Sequence, residues 1–280
     1  MAARVAESAR VAELALVAEF QRDGVCVVRG LLTPDQVAVA TIAIDDVLAT
    51  PSWRSVSSPA DQPGRFFEDF CRWPSHDGLA SIALAANVGA VAAQLTVSSV
   101  IRLHHDHVLV KDPGTTMRTP WHQDQPYYNL DGRQTVSFWI PVDPVPIEAC
   151  LEVIAGSHQG PWLMPRTFID NESRWFPEGT LAAVPRVDAN RDAFDIRSYD
   201  MAPGDAVAFN MLSLHGAAGF VGPGRRRVLS LRYIGDDVTH APRPWPTSPE
   251  FPGLHESLLA GAKFDDPCFP IVYPLGDTST

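Results

Sequence analysis

Hydrophobic positions change period once along this chain. From Ala3 to Phe20, alanine and valine recur with Glu and Arg between them at helical spacing, and Thr33-Pro34-Asp35-Gln36 has the form of an N-cap with proline at the first helical position. Val25 to Leu31 reads as a short strand between these helices. A further helix is predicted over Leu79 to Gln94, after a variable stretch from Pro51 to Pro74 that mixes aromatics with turn residues. From Val97 onward short strand-like segments separated by turns take over: Ser98 to Lys111, Thr135 to Val142, Cys150 to Ile154, Ala206 to Leu212 and Val228 to Ile234. Such a run must close or stack its sheets, and a double-sheet jelly roll, a double-stranded β-helix core, is a standard solution. The predicted fold class is therefore mainly β with flanking α-helices. We expect one domain, with residues 1–96 a helical flank, 97–234 the jelly-roll core and 235–280 a proline-rich C-terminal wrap.

Candidate chemistry sits inside the β region. His122-Gln123-Asp124 is followed by a lone His215 and, eleven residues later, by Arg226. Two imidazoles and one carboxylate on one face of an octahedral Fe(II) leave three adjacent positions for a chelating co-substrate and O2. A planar guanidinium grips a carboxylate with two parallel hydrogen bonds. If the chain is extended at His122 and Asp124 their side chains project to one side, and His215, 93 residues further on, arrives from a distant strand. A second His-x-Asp, His104-His105-Asp106, is expected by chance and lies in a segment that alternates like a strand interior. Within it His105 and His107 share a strand face and either line the cavity as substrate contacts or form a polar strand face. Tyr127 and Tyr128 either meet substrate or divide between packing and solvent. Arg232 has the strand parity of Arg226 and rivals it as the anchor. His158 is read as a turn residue, and Asp205 as fixing the turn before the strand that delivers His215. The long segment from Gln159 to Arg197 contains Trp162, Met164, Phe168, Trp175 and Phe176 and is either a lid or a surface excursion.

These motifs resemble the phytanoyl-CoA dioxygenase-like family of Fe(II)- and 2-oxoglutarate-dependent oxygenases. The likeness also takes in Phe20-Gln21-Arg22-Asp23-Gly24-Val25, Leu151 to His158, Pro203-Gly204-Asp205 and His215-Gly216. The resemblance implies a cupin-like jelly roll in which His122, Asp124 and His215 bind iron, Arg226 pairs with the distal carboxylate of 2-oxoglutarate, and Gln123 and Trp139 touch the co-substrate. It implies hydroxylation of a small molecule with release of succinate and CO2. The chain departs from the commoner pattern at Ala217, where relatives frequently carry a serine that also contacts the distal carboxylate. Related halogenases lack the carboxylate ligand, so the presence of Asp124 disfavours halogenation. The alternative is a cupin-like isomerase or dioxygenase that does not use 2-oxoglutarate.

Composition narrows the partners. A net charge of −11 and a pI near 5.2 argue against nucleic acid and anionic membrane surfaces, which reward clustered Lys and Arg. The acidic balance also leans against coenzyme A esters, and the aromatic insertion leans toward a partly apolar small molecule from secondary metabolism or catabolism. Cys26, Cys71, Cys150 and Cys268 show no CxxC spacing and read as free thiols of a reducing compartment. A poor signal-peptide pattern at Met1 to Val17 and the lack of a long enough apolar run lead us to expect a cytoplasmic protein, a monomer or homodimer.

Overall fold

The computed structural model describes residues 2–165, 179–220 and 222–274, with side chains from residue 11 onward. The long helix α1 (Ala2–Asp23) leads into β1 (Val25–Val28), and α2 (Pro34–Ala49) follows. Thr33 caps α2 through a capping box with Gln36, and Pro34 occupies the first turn, where its missing N–H costs nothing. Strands β2 (Val56–Ser57) and β3 (Phe66–Phe70) precede helices α3 (Asp77–Ala83) and α4 (Ala86–Thr96). Next come β4 (Ile101–Lys111), β5 (Thr119–His122), β6 (Leu130–Asp131), β7 (Thr135–Pro141) and β8 (Leu151–Ile154). The chain continues through β9 (Ile196–Arg197), β10 (Ala206–Phe209), β11 (His215–Ala217), β12 (Arg226–Ile234), β13 (Thr239–His240), α5 (Leu254–Ser257) and β14 (Ile271–Tyr273).

Among the described residues these strands form a major antiparallel sheet in the order β1-β10-β7-β12-β4-β3-β2, with β14 also on β4, and a minor sheet β5-β11-β8-β9. The jelly-roll expectation is met. Strand β12 shows why the major sheet has two characters. Leu229, Leu231 and Tyr233 point into a core shared with Phe20, Ile44, Leu79, Ile82, Val88 and Leu95 of the helices. The alternate residues Arg226, Ser230 and Arg232 point into a cavity between the sheets. One face thus holds the helices by apolar burial, and the other carries polar chemistry.

Bulges adjust that alternation. Along β4 and β12, Arg232 faces His105 and Tyr233 faces Leu103, so His104 is an extra residue. His104 and His105 therefore meet through their Nδ1 atoms at 2.7 Å although they are neighbours in sequence. A second irregularity pairs His215 with His122 but Ala217 with Thr119, which lets Thr119 and His122 both reach the cavity.

The N-terminal third is less purely helical than expected. β1 and β3 belong to the major sheet. The helix predicted over Leu79 to Gln94 is two helices, broken at Leu84 and an extended Ala85. By length and composition Asp77–Thr96 is apolar enough to span a membrane, and here both halves pack into the core.

Candidate metal centre

Strand β5 is the edge of the minor sheet, which is why it accepts Pro120 without loss of a ladder bond. Trp121 turns outward into an apolar cluster with Leu163, Val187 and Leu214, and its Nε1 donates to Asp188 Oδ1 at 3.2 Å. His122 consequently turns inward, directly opposite His215 on β11. The chain does not continue extended to Asp124: that residue is helical (φ −71°, ψ −46°) and opens a short 3₁₀ turn over Gln125–Tyr127. The turn, rather than strand parity, brings the carboxylate back under the imidazoles.

His215 is held from behind. Ser157 Oγ accepts the Leu214 N–H at 2.8 Å and donates to Ile154 O, while Ser213 Oγ donates to Gly24 O at 2.8 Å. Upstream, Gly204 sits at φ +87°, where its Cα lies too close to Leu32 O for a Cβ. Asp205 then fixes this turn by accepting from Gly30 N, Ala202 N and Arg29 Nη1.

The donor set suits a divalent metal. His122 Nδ1 lies 2.8 Å from Pro120 O and His215 Nδ1 lies 2.9 Å from Ser213 O. A carbonyl can only accept, so each Nδ1 carries the ring proton and each Nε2 presents a lone pair. Those Nε2 atoms stand 3.5 and 3.7 Å from Asp124 Oδ1, beyond ordinary hydrogen-bond length, and the three donor atoms lie within 4.8 Å of one another. Burial pushes His215 down to about 3, so its imidazole is neutral. Burial opposes ionisation of Asp124, yet the Arg232 guanidinium above all holds its carboxyl well below the usual range. Ser137 Oγ donates to Asp124 Oδ2 at 3.1 Å, and Arg232 Nη2 stands 3.4 Å from the same oxygen. Two imidazole Nε2 atoms and an ionised carboxylate are the set expected for a three-ligand Fe(II) face.

The three side chains open on a cavity of about 540 Å³. Arg226 lies in its wall, buried, with its guanidinium 5.7 Å from the Trp139 ring and one N–H donated to Ala149 O. Arg232, its rival by parity, is engaged: Nε donates to Tyr128 Oη at 2.8 Å and the guanidinium pairs with Asp124. Tyr127 and Tyr128 are both buried and both line the cavity, so neither faces solvent.

Several expectations are corrected. Gln123 is absent from the cavity wall: its amide donates to Leu212 O and Pro161 O and accepts from Leu163 N, tying loops together behind the site. His105 has the expected face but lies beneath Tyr128, whose ring it meets edge-on, whereas His107 does line the cavity. Asp106 points away and caps the Arg72 and Trp73 N–H groups. No described residue of 159–197 lines the cavity; Phe168, Trp175 and Phe176 lie outside the described residues. The wall is completed instead by Trp53 to Val56, β3 and Thr247 to Glu250.

The phytanoyl-CoA dioxygenase (PhyH) family model matches residues 20–228, a span that begins before β1 and takes in all three candidate ligands and Arg226. The chain belongs to the phytanoyl-CoA dioxygenase family. Oxygenases of that family use Fe(II), 2-oxoglutarate and O2, and the His122, Asp124 and His215 set suits that cofactor. A probable phytanoyl-CoA dioxygenase of Caenorhabditis elegans is 27% identical over 148 residues, which cover 48% of this chain and 43% of that relative. The chain thus matches less than half the length of that curated protein. Among solved structures, the non-heme alpha ketoglutarate dependent epimerase SnoN from nogalamycin biosynthesis superposes with a TM-score of 0.72 at 20% identity, covering 94% of this chain and 99% of SnoN. The carbocyclase SnoK from the same biosynthesis gives 0.71 at 20% identity, with 92% and 95% coverage. EctD from S. alaskensis, with 2-oxoglutarate and 5-hydroxyectoine, gives 0.61 at 20% identity, with 88% and 83% coverage. At such identity these likenesses show the fold.

Sequence reasoning assigned no role to three residues in or beside this cavity. Ser137 supports Asp124 from β7. Lys111, the register partner of Arg226, is buried with Nζ donating to Met117 O and Ala218 O, and burial followed by Arg226 pushes it down to about 6. Glu68 lines the wall from β3. Ser137 had a signal, as a polar residue flanked by Val136 and Phe138, and Lys111 had one in sharing the strand parity of His105 and His107.

Proposed function

We propose that the protein hydroxylates a compact small molecule at a metal held by His122, Asp124 and His215, with Arg226 receiving the distal carboxylate of 2-oxoglutarate. The observation that carries this reading is the convergence of two Nε2 lone pairs and one ionised carboxylate on a cavity that also contains a buried arginine. Bound there, iron and 2-oxoglutarate supply the oxidation, which balances as substrate C–H, O2 and 2-oxoglutarate giving substrate C–OH, succinate and CO2. The chain's own part is positional. Carbonyls of Pro120 and Ser213 keep both imidazoles in the metal-binding tautomer, and Ser137 and Arg232 aim the carboxylate. Trp139 and Phe209 add buried aromatic wall to the cavity.

The hydroxyl missing at Ala217 has a replacement at the same level of the barrel. Thr119, the register partner of Ala217, lines the cavity, and we assign it the second contact to the distal carboxylate. Arg226 rather than Arg232 is the anchor because Arg232 is already committed to Asp124 and Tyr128.

A cavity of about 540 Å³ that must also admit 2-oxoglutarate favours a compact substrate over a long acyl-CoA ester. The folds of SnoN and SnoK serve epimerisation and ring closure, so oxygen transfer needs its own test. Candidate substrates are incubated with 18O2, iron and 2-oxoglutarate. Hydroxylation predicts one succinate per product and one 18O atom in it. A product free of 18O removes the hydroxylase assignment, and long acyl-CoA turnover removes the compact substrate.

A further inference from the structure

One wall of the cavity, built by β3, β4 and β12, contains buried polar atoms without a hydrogen bond among the described residues. On β3, Phe67 enters the helix-backed core and Asp69 is bound by Ser52 and Arg72, while Phe66, Glu68 and Phe70 face the cavity. Glu68 Oε2 lies 3.3 Å from His107 Nε2 on β4, without the alignment of a hydrogen bond. Both side chains are about nine-tenths buried. Apart from that contact, the Glu68 Oε2 atom, both His107 nitrogens and the hydroxyl of Ser230, the register partner of His107, have no hydrogen-bond partner among the described residues. Phe70 stacks on His107 with centroids 3.9 Å apart.

Leaving a carboxylate, an imidazole and a hydroxyl buried and unsatisfied is costly, and the metal chemistry uses none of them. A ligand that completes them must donate hydrogen bonds, because Glu68 can only accept when ionised and burial keeps His107 mainly neutral. An anionic group would meet Glu68 and the nearby Glu250. The cation at this mouth, Arg54, is stacked 4.1 Å from the Trp53 ring and donates to Glu250 O. Phe66 and Phe70 offer apolar faces that also attract cations.

We propose that Glu68, His107 and Ser230 form the substrate-recognition site, holding a hydroxyl or protonated amine carried on a compact apolar body and rejecting carboxylates and phosphates. This rests on the reading that the substrate is oxidised in this cavity. The test is anaerobic calorimetric titration of the protein loaded with Fe(II) and 2-oxoglutarate, so that Arg226 is occupied, with benzylamine, benzyl alcohol, toluene and benzoate as probes. The expected result is that one or both donor probes bind at least tenfold more tightly than toluene and benzoate. If an ammonium is the ligand, Glu68→Gln weakens benzylamine at least tenfold; if a hydroxyl, Ser230→Ala weakens benzyl alcohol at least threefold. Equal binding of benzoate, no binding of any probe, or indifference to both substitutions overturns the proposal. Should no charge-transfer band form on adding 2-oxoglutarate, the co-substrate reading fails, and the same titration of the metal-free protein still decides the role of Glu68.

Discussion

The two ends of the cavity are built differently. At the inner end His122, Asp124 and His215 come from or beside paired strands, and their polar atoms are matched: each Nδ1 by a carbonyl, Asp124 by Ser137 and Arg232. At the other, Glu68 Oε2, His107 and Ser230 remain unmatched among the described residues, and further wall comes from Trp53, Arg54, Val56 and Thr247 to Glu250. At the first end the ligand side chains are held before any metal arrives, as a metal site that must be preorganised requires. The second is finished by its ligand.

The largest expected effect comes from removing an inner-end ligand. His122→Ala or His215→Ala should lower iron affinity by more than the roughly 100-fold typical of changes to supporting residues, read by equilibrium dialysis of Fe(II). Retained affinity in both would erase the contrast between the ends. Lys111→Met comes next, through pH. Because the folded pKa of about 6 lies below the ordinary 10.5, the folded protein binds fewer protons than the unfolded chain between these values. Wild-type stability should therefore gain from Lys111 as pH rises from about 6 toward 10.5, with the full cost present below that window. Denaturant titrations at pH 7 and pH 9.5 should show the wild type gaining on Lys111→Met by a kcal/mol or more, and parallel behaviour would refute the buried neutral amine.

The two arginines of β12 sharpen the comparison within the inner end. Arg232→Met leaves Asp124 buried without its cation, at a cost of about 3 kcal/mol in stability, and should weaken iron binding. Arg226→Met should leave iron binding intact and raise the 2-oxoglutarate requirement about 10- to 100-fold, the loss of a charged hydrogen-bonded pair. If the two substitutions exchange phenotypes, the anchor is Arg232. Smallest is Thr119→Val, expected to cost about 1 kcal/mol, roughly fivefold, in 2-oxoglutarate affinity alone.

How far the sequence disclosed these ends follows from the same difference. The inner end was legible because metal ligation demands particular residue types, and because Thr135 to Val142 and Val228 to Ile234 are rich in residues that suit strands. Asp124 was placed by the wrong geometry, since its turn conformation leaves no trace in residue spacing. Strand β3 was hidden because Phe66-Phe67-Glu68-Asp69-Phe70 is buried on both faces and shows no apolar alternation. Strand β11, His215-Gly216-Ala217, is too short to carry a pattern. The bulge at His104 and the break at Ala85 lack any Gly or Pro to mark them. Gln123 misled because a polar residue between two ligands invites a ligand role, whereas its amide serves three backbone groups of neighbouring loops.

The central claim, a three-ligand iron site sharing one cavity with a carboxylate anchor, is tested most directly by anaerobic visible spectroscopy of the purified protein with Fe(II) and then 2-oxoglutarate. The account predicts a metal-to-ligand charge-transfer band that needs both additions, is lost in His122→Ala and needs far more 2-oxoglutarate in Arg226→Met. Iron binding without such a band, or a band indifferent to both substitutions, would contradict it.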